Sequence, residues 1–145
     1  MIRKIWWLVL VLIAGCEVAG PELATVYDLP AAQAQAQKEN KLVLLDFTGS
    51  DWCPPCKALS KTVFQSGKFK TYAKDNLVFV EVDFPRTKEL PAAQKAANEA
   101  LSEKFKVHGY PTIVVLDSKG KELMNQVGYD GMGPAEFIDG LKKLK

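Results

Sequence analysis

The chain has one histidine and three cysteines among 145 residues. Zinc prefers four ligands, so a single close cysteine pair with no second pair and no nearby histidine is a weak set for it. The sequence also lacks an excess of either charge. Its 19 lysines and arginines face 17 aspartates and glutamates. Only Arg3 and Lys4 are charged among the first 15 residues, so from residue 16 onward the basic count is 17 against 17. That excludes the basic footprint which nucleic-acid binding requires. No apolar run reaches the roughly 20 residues that span a bilayer. Internal repeats are absent, and the length suits one domain rather than two. The 48% hydrophobic content is that of a globular protein.

The most informative run is Asp51-Trp52-Cys53-Pro54-Pro55-Cys56-Lys57. Two cysteines separated by two residues can close a small disulfide and open it again. A strand-like stretch, residues 41–47, precedes the run and a helix-like one follows. Cys53 therefore falls at the first turn of a helix, exposed, where unpaired N–H groups and the helix dipole favour negative charge. The thiolate is the reactive form of cysteine, and such a setting lowers its pKa from about 8.5 to between roughly 3.5 and 7.5. This pattern points to dithiol redox chemistry. Pro54 and Pro55 are tolerated in a first helical turn but withdraw two backbone donors from near the thiolate. A less stabilised thiolate makes a better reductant, so the direction leans towards reduction. The competing readings are a disulfide oxidase or isomerase on the same pair, or a metal- or protein-binding module that uses the cysteines as ligand or structural staple.

The N-terminus reads as a leader. Arg3 and Lys4 precede a short apolar run, Ile5 to Ile13, and then small residues, the order of a secretory signal. Ile13-Ala14-Gly15-Cys16 resembles the bacterial lipobox, in which the cysteine is lipidated and becomes the first residue. That resemblance accounts for the odd cysteine. Cys16 takes the lipid, and membrane attachment comes from it. The alternatives are an uncleaved anchor, or cleavage nearby that leaves Cys16 a stray thiol. The expected organisation is a signal over 1–15, a tether over 16–27 and one domain over 28–145.

Asp28-Leu29-Pro30 predicts a helix start, and the Ala/Gln stretch 31–37 a solvated surface helix. Leu42 to Phe47 is a nearly continuous apolar strand, as expected when both faces are covered. Ala58, Leu59, Val63 and Phe64 follow at helical spacing, with Phe69 and Tyr72 beyond. Further strands are expected over 77–82, 112–116 and 122–127, the last two as a hairpin, and helices over 91–105 and from Pro134. The order predicts an α/β fold, a mixed sheet of four to five strands with helices on both faces.

With these elements in place the chain resembles the thioredoxin superfamily over about residues 30–144. Leu45-Asp46-Phe47 with Trp52 to Lys57 is similar to the family's first strand and active-site turn. Gly109-Tyr110-Pro111-Thr112 is similar to its cis-proline loop, and Val127-Gly128 to the glycine beside its substrate groove. Within the superfamily the exported thioredoxin-like reductases, such as the C-terminal domain of DsbD, are the nearest in pattern.

The resemblance implies thiol–disulfide exchange with protein substrates and an electron donor or acceptor that the sequence does not identify. It implies no cofactor and no metal. Cys53 would be the nucleophile, and Cys56 the thiol that resolves the mixed disulfide. Asp46, costly in an apolar strand, would lie behind Cys56 as a general base. Tyr110 and Pro111 would pair with the substrate backbone, Trp52 would cover one side, and Gly128 would border the groove. The chain departs from the family twice. The path from Asp46 to Cys53 is one residue longer, with Gly49 and Ser50 in it. Glu81 and Asp83 also stand where a lysine often faces the aspartate. His108 is expected to be exposed and idle. Lys57 would either help the thiolate or only decorate its helix, and residues 84–101 would form an insertion that contacts partners or extends a surface helix.

Overall fold

The structure is a computed structural model and describes residues 23–145. The expected signal segment 1–15, Cys16 and the first part of the tether lie outside the described residues. Within them no helix is long and apolar enough to cross a membrane.

Five strands and five α-helices follow one another as β1 (Thr25–Val26), α1 (Leu29–Glu39), β2 (Leu42–Thr48), α2 (Pro54–Leu59), α3 (Gly67–Asn76), β3 (Leu77–Asp83), α4 (Ala92–Lys104), β4 (Thr112–Leu116), β5 (Glu122–Val127) and α5 (Pro134–Lys142). A π-helical turn, Ser60–Phe64, continues α2. The sheet order is β1-β3-β2-β4-β5. β2 runs parallel to β3 and antiparallel to β4, and β4 and β5 form the expected hairpin.

All seven residues of β2 are buried, because helices cover both faces of this central strand. Side chains alternate between those faces. Leu42 and Leu44 join Leu77, Phe79, Phe64, Phe69 and Ile138 in one cluster, beneath α3 and α5. Val43, Leu45 and Phe47 join Val78, Val80, Val82 and Phe105 in the other, beneath α1. Each such buried side chain contributes about 1.5–3 kcal/mol, so the register of β2 is held firmly. The same alternation carries Asp46 and Thr48 onto the face of Leu42 and Leu44, at the strand's C-terminal end.

Two expectations are corrected. The Ala/Gln helix is not merely a solvated one: Leu29, Ala32 and Ala36 of α1 are buried against the sheet. Alanine is small enough to let the helix approach closely, so a packing face exists without large apolar side chains. The domain also begins inside the expected tether, because Thr25–Val26 pairs in parallel with Phe79–Val80 as an edge strand. A two-residue strand has no periodicity to read. The helix after the cysteine motif ends at the π-helical turn, and Ser66 caps a new one, its Oγ accepting from the Phe69 N–H at 3.2 Å.

Candidate active site

A turn hands β2 to α2. The carbonyl of Gly49 accepts from the N–H groups of Trp52 at 3.2 Å and Cys53 at 2.9 Å. Cys53 is the extended N-cap of α2, Pro54 opens the helix, and Cys56 lies in its first turn. The two cysteines form a disulfide, with Cα atoms 5.3 Å apart. Pro54 and Pro55 have no N–H, so the first helical amide able to reach Cys53 Sγ is that of Cys56, which donates to it at 3.3 Å.

The expected exposure of Cys53 is not found. It is 3% exposed, as is Cys56. Its sulfur is drawn against the helix by the bond to Cys56 and the Cys56 N–H, instead of projecting from the tip. Position, rather than exposure, distinguishes the two sulfurs. Cys53 sits outside the helix, and Cys56 lines a cavity of about 180 Å³ together with Asp46, Glu81, Lys57 and Ser60.

Asp46 is buried on the central strand, and its Oδ1 has no hydrogen-bond partner. Burial, reinforced by the nearby Glu81 and then Asp83, pushes its pKa up to about 8. Glu81 is its register partner on β3, and burial and Asp83 raise that carboxyl too, with Lys88 opposing.

The peptide bond Tyr110–Pro111 is cis. Thr112 Oγ1 donates to the Gly109 carbonyl at 2.8 Å, and the Gly128 N–H donates to the Pro111 carbonyl at 2.8 Å. Gly128 has φ +87°, a left-handed conformation that suits glycine. The half-buried rings of Trp52 and Tyr110 meet edge to face at 5.8 Å, so the structure brings the cysteine turn and the proline loop together. His108 is exposed. Lys57 Nζ donates to the Asp51 carbonyl at 2.8 Å.

The extra loop residue and the segment after β3 have structural counterparts that the sequence did not reveal. The carboxylate of Asp83 accepts from the N–H of Ser50 at 2.9 Å and from its Oγ at 2.6 Å. Gly49 lies under Trp52: a Cβ there would come within 2.5 Å of the indole. Trp52 Nε1 donates to the Phe84 carbonyl at 2.8 Å, and the Arg86 guanidinium lies 3.7 Å over its ring. Asp51 is the residue that sequence reasoning missed. Its carboxylate accepts from the N–H groups of Arg86, Thr87 and Lys88 and from the Thr87 hydroxyl at 2.6 Å. These bonds hold its pKa well below the usual carboxylate range. The one available signal was an aspartate two residues before Cys53 followed, some thirty residues on, by a Pro-Arg-Thr-Lys turn.

Comparison with known proteins agrees with this geometry. The chain is 36% identical over 111 residues to the disulfide bond reductase DsbH of Chlamydia pneumoniae, covering 77% of this chain and 66% of that protein. It is 36% identical over 108 residues to the thiol:disulfide interchange protein DsbD of Cronobacter sakazakii, covering 74% of this chain and 17% of DsbD. A solved structure of a DsbH oxidoreductase superposes with a TM-score of 0.76 at 32% identity, over 87% of this chain and 85% of the other. The chain spans about two thirds of the one curated relative and a sixth of the other. Residues 29–145 match the model of the thioredoxin-like domain, and the protein belongs to that family and has its fold.

Proposed function

We propose that the protein is a thiol–disulfide oxidoreductase that acts on protein substrates outside the cytoplasm, in the reducing direction. The observation that carries this reading is the Cys53–Cys56 disulfide at the start of α2, joined through the Trp52–Tyr110 contact to the cis Tyr110–Pro111 bond. The relatives named disulfide bond reductase and thiol:disulfide interchange protein support it.

The chemistry starts from the reduced dithiol, in which the bond holding Cys53 Sγ against Cys56 is open. The Cys53 thiolate attacks one sulfur of a substrate disulfide. The other substrate sulfur leaves as a thiolate and takes up a proton. Cys56 then gives its proton to Asp46 in its ionised form, through their shared cavity, and attacks Cys53 Sγ. The second substrate sulfur leaves as a thiolate and takes up the proton that Asp46 received, and the Cys53–Cys56 disulfide remains. Two electrons pass to the substrate, and a dithiol donor outside this chain restores the starting state. Closeness of the two sulfurs makes the second step effectively intramolecular. Tyr110 and Pro111 present backbone to the substrate, with Trp52 and Gly128 flanking it. Attachment to a membrane follows from lipid on Cys16, with 1–15 removed as a signal.

A Cys56→Ser variant tests the reading, because it stops the reaction at the mixed disulfide. Substrates joined to Cys53, released by reductant and absent from the Cys53→Ser/Cys56→Ser double variant, are expected on non-reducing gels. No trapped species in cells making the variant at wild-type levels would sink it.

A further inference from the structure

The segment after β3 turns the rim of the site into a charged surface. Asp51 binds three successive amides of residues 86–88, which fixes the path of the loop whatever side chains it carries. On that path Arg86 stacks on Trp52, the residue adjoining Cys53. The loop also walls a cavity of about 270 Å³ that Arg86, Lys88 and Lys95 line, with Glu89 and Asp83 as the carboxylates facing them. Asp83 is engaged by Ser50 through both of its oxygens. Among the described residues none of the three cations is in an ion pair. Within that cavity three cations thus face one carboxylate not held by Ser50, that of Glu89, with Glu81 on β3 acting on Lys88 from outside it, beside an indole that touches both halves of the site.

We propose that Arg86, Lys88 and Lys95 form a receptor for an acidic side chain of the substrate, next to the disulfide to be exchanged. Arg86 held over an aromatic ring is pre-organised and loses little freedom when it pairs with a carboxylate. Complementary charge at a rim acts mainly on the rate of association and on the choice of partner. The inference rests on the exchange activity proposed above and adds substrate choice to it.

The test uses single-turnover oxidation of the pre-reduced protein by three peptides, each closed by one disulfide and flanked by Glu, Gln or Lys. One protein dithiol is oxidised for each peptide disulfide reduced, so no other donor is required. At low salt the Glu peptide is expected to react about tenfold faster than the Lys peptide, and high salt should narrow the gap. The R86Q/K88Q variant keeps the backbone amides that Asp51 binds; in it the three rates should converge. Equal rates in the wild type, or an equal slowing of all three peptides in the variant, would overturn the receptor alone. Failure of the wild type to react with any peptide would remove the exchange activity itself.

Discussion

Asp46 and Cys56 line the same cavity, and Oδ1 of Asp46 meets no hydrogen-bond donor there. An unpartnered buried oxygen costs about 1–3 kcal/mol, and an ionised one costs more. The carboxyl is therefore mostly protonated at neutral pH and half ionised near pH 8, so a fraction of it is available as a base. A group poised there can exchange a proton with a thiol, which an ordinary surface aspartate cannot do near neutral pH.

Replacing Asp46 by Asn should slow resolution of the mixed disulfide by about 10²-fold while leaving the first attack by Cys53 nearly unchanged. Rapid-quench trapping separates the two steps. A variant that resolves at the wild-type rate would show that Asp46 has no part in the proton transfer.

The same substitution should alter stability with a definite sign. The folded carboxyl titrates near 8 and the unfolded one near 3.8. Its contribution is fully present below about pH 4 and is lost as pH rises through about 8, at up to about 1.4 kcal/mol per pH unit. Urea unfolding of Asp46→Asn against wild type should show a difference that grows in the variant's favour from pH 5 to pH 9. A difference independent of pH would mean that Asp46 is not raised.

Glu81 faces Asp46 from β3 and shares its cavity; Asp83 on its own strand, Lys57 on α2 and Lys88 on the following loop are the other charged groups around it. Glu81→Gln removes a carboxylate that opposes ionisation of Asp46. The Asp46 titration, followed by carboxyl NMR, should move to lower pH, and the pH profile of the resolving step should move with it. An unmoved titration would rule out coupling between the two strands.

Asp51 should act as the latch of the 86–88 segment. In Asp51→Ala the amides of Arg86, Thr87 and Lys88 lose their acceptor and should exchange with solvent at least about tenfold faster, with protection of β2 unchanged. The lowered pKa of Asp51 means that the latch is present above the ordinary carboxylate range and is lost only as pH falls well below it. Amides as protected in the variant as in the wild type would show that other contacts hold the loop.

Gly49→Ala should displace Trp52, because the added methyl would sit within 2.5 Å of the indole. A cost of about 1–3 kcal/mol is expected from overpacking at this turn, together with a changed tryptophan emission as the bond to Phe84 is disturbed. A variant with wild-type stability and spectrum would mean that the ring has room to move.

Much of the fold was legible because the signals are local. The continuous apolar run of β2, the hairpin of 112–116 with 122–127 and the proline-led start of α5 each specify an element from neighbouring residues alone. The Cys53–Cys56 pair was legible from its spacing, whereas the cis Tyr110–Pro111 bond was legible only through the family resemblance. α1 was misjudged because burial of alanine depends on how near the sheet lies, which no helical period reveals. Exposure of Cys53 was misjudged because a helix-tip position says nothing about which way the sulfur turns.

Sequence alone determined which residues this protein could use: a dithiol at a strand-to-helix turn, a proline loop and one aspartate in an apolar strand. Tertiary structure decided which of them work together. Parallel pairing sets Asp46 beside Glu81 and Thr48 beside Asp83, and it carries the loop after β3 to within reach of Asp51 and Trp52. Those neighbours are more than thirty residues apart in the chain. Their closeness is a property of strand register, which the packing of both sheet faces enforces and no short window of sequence contains.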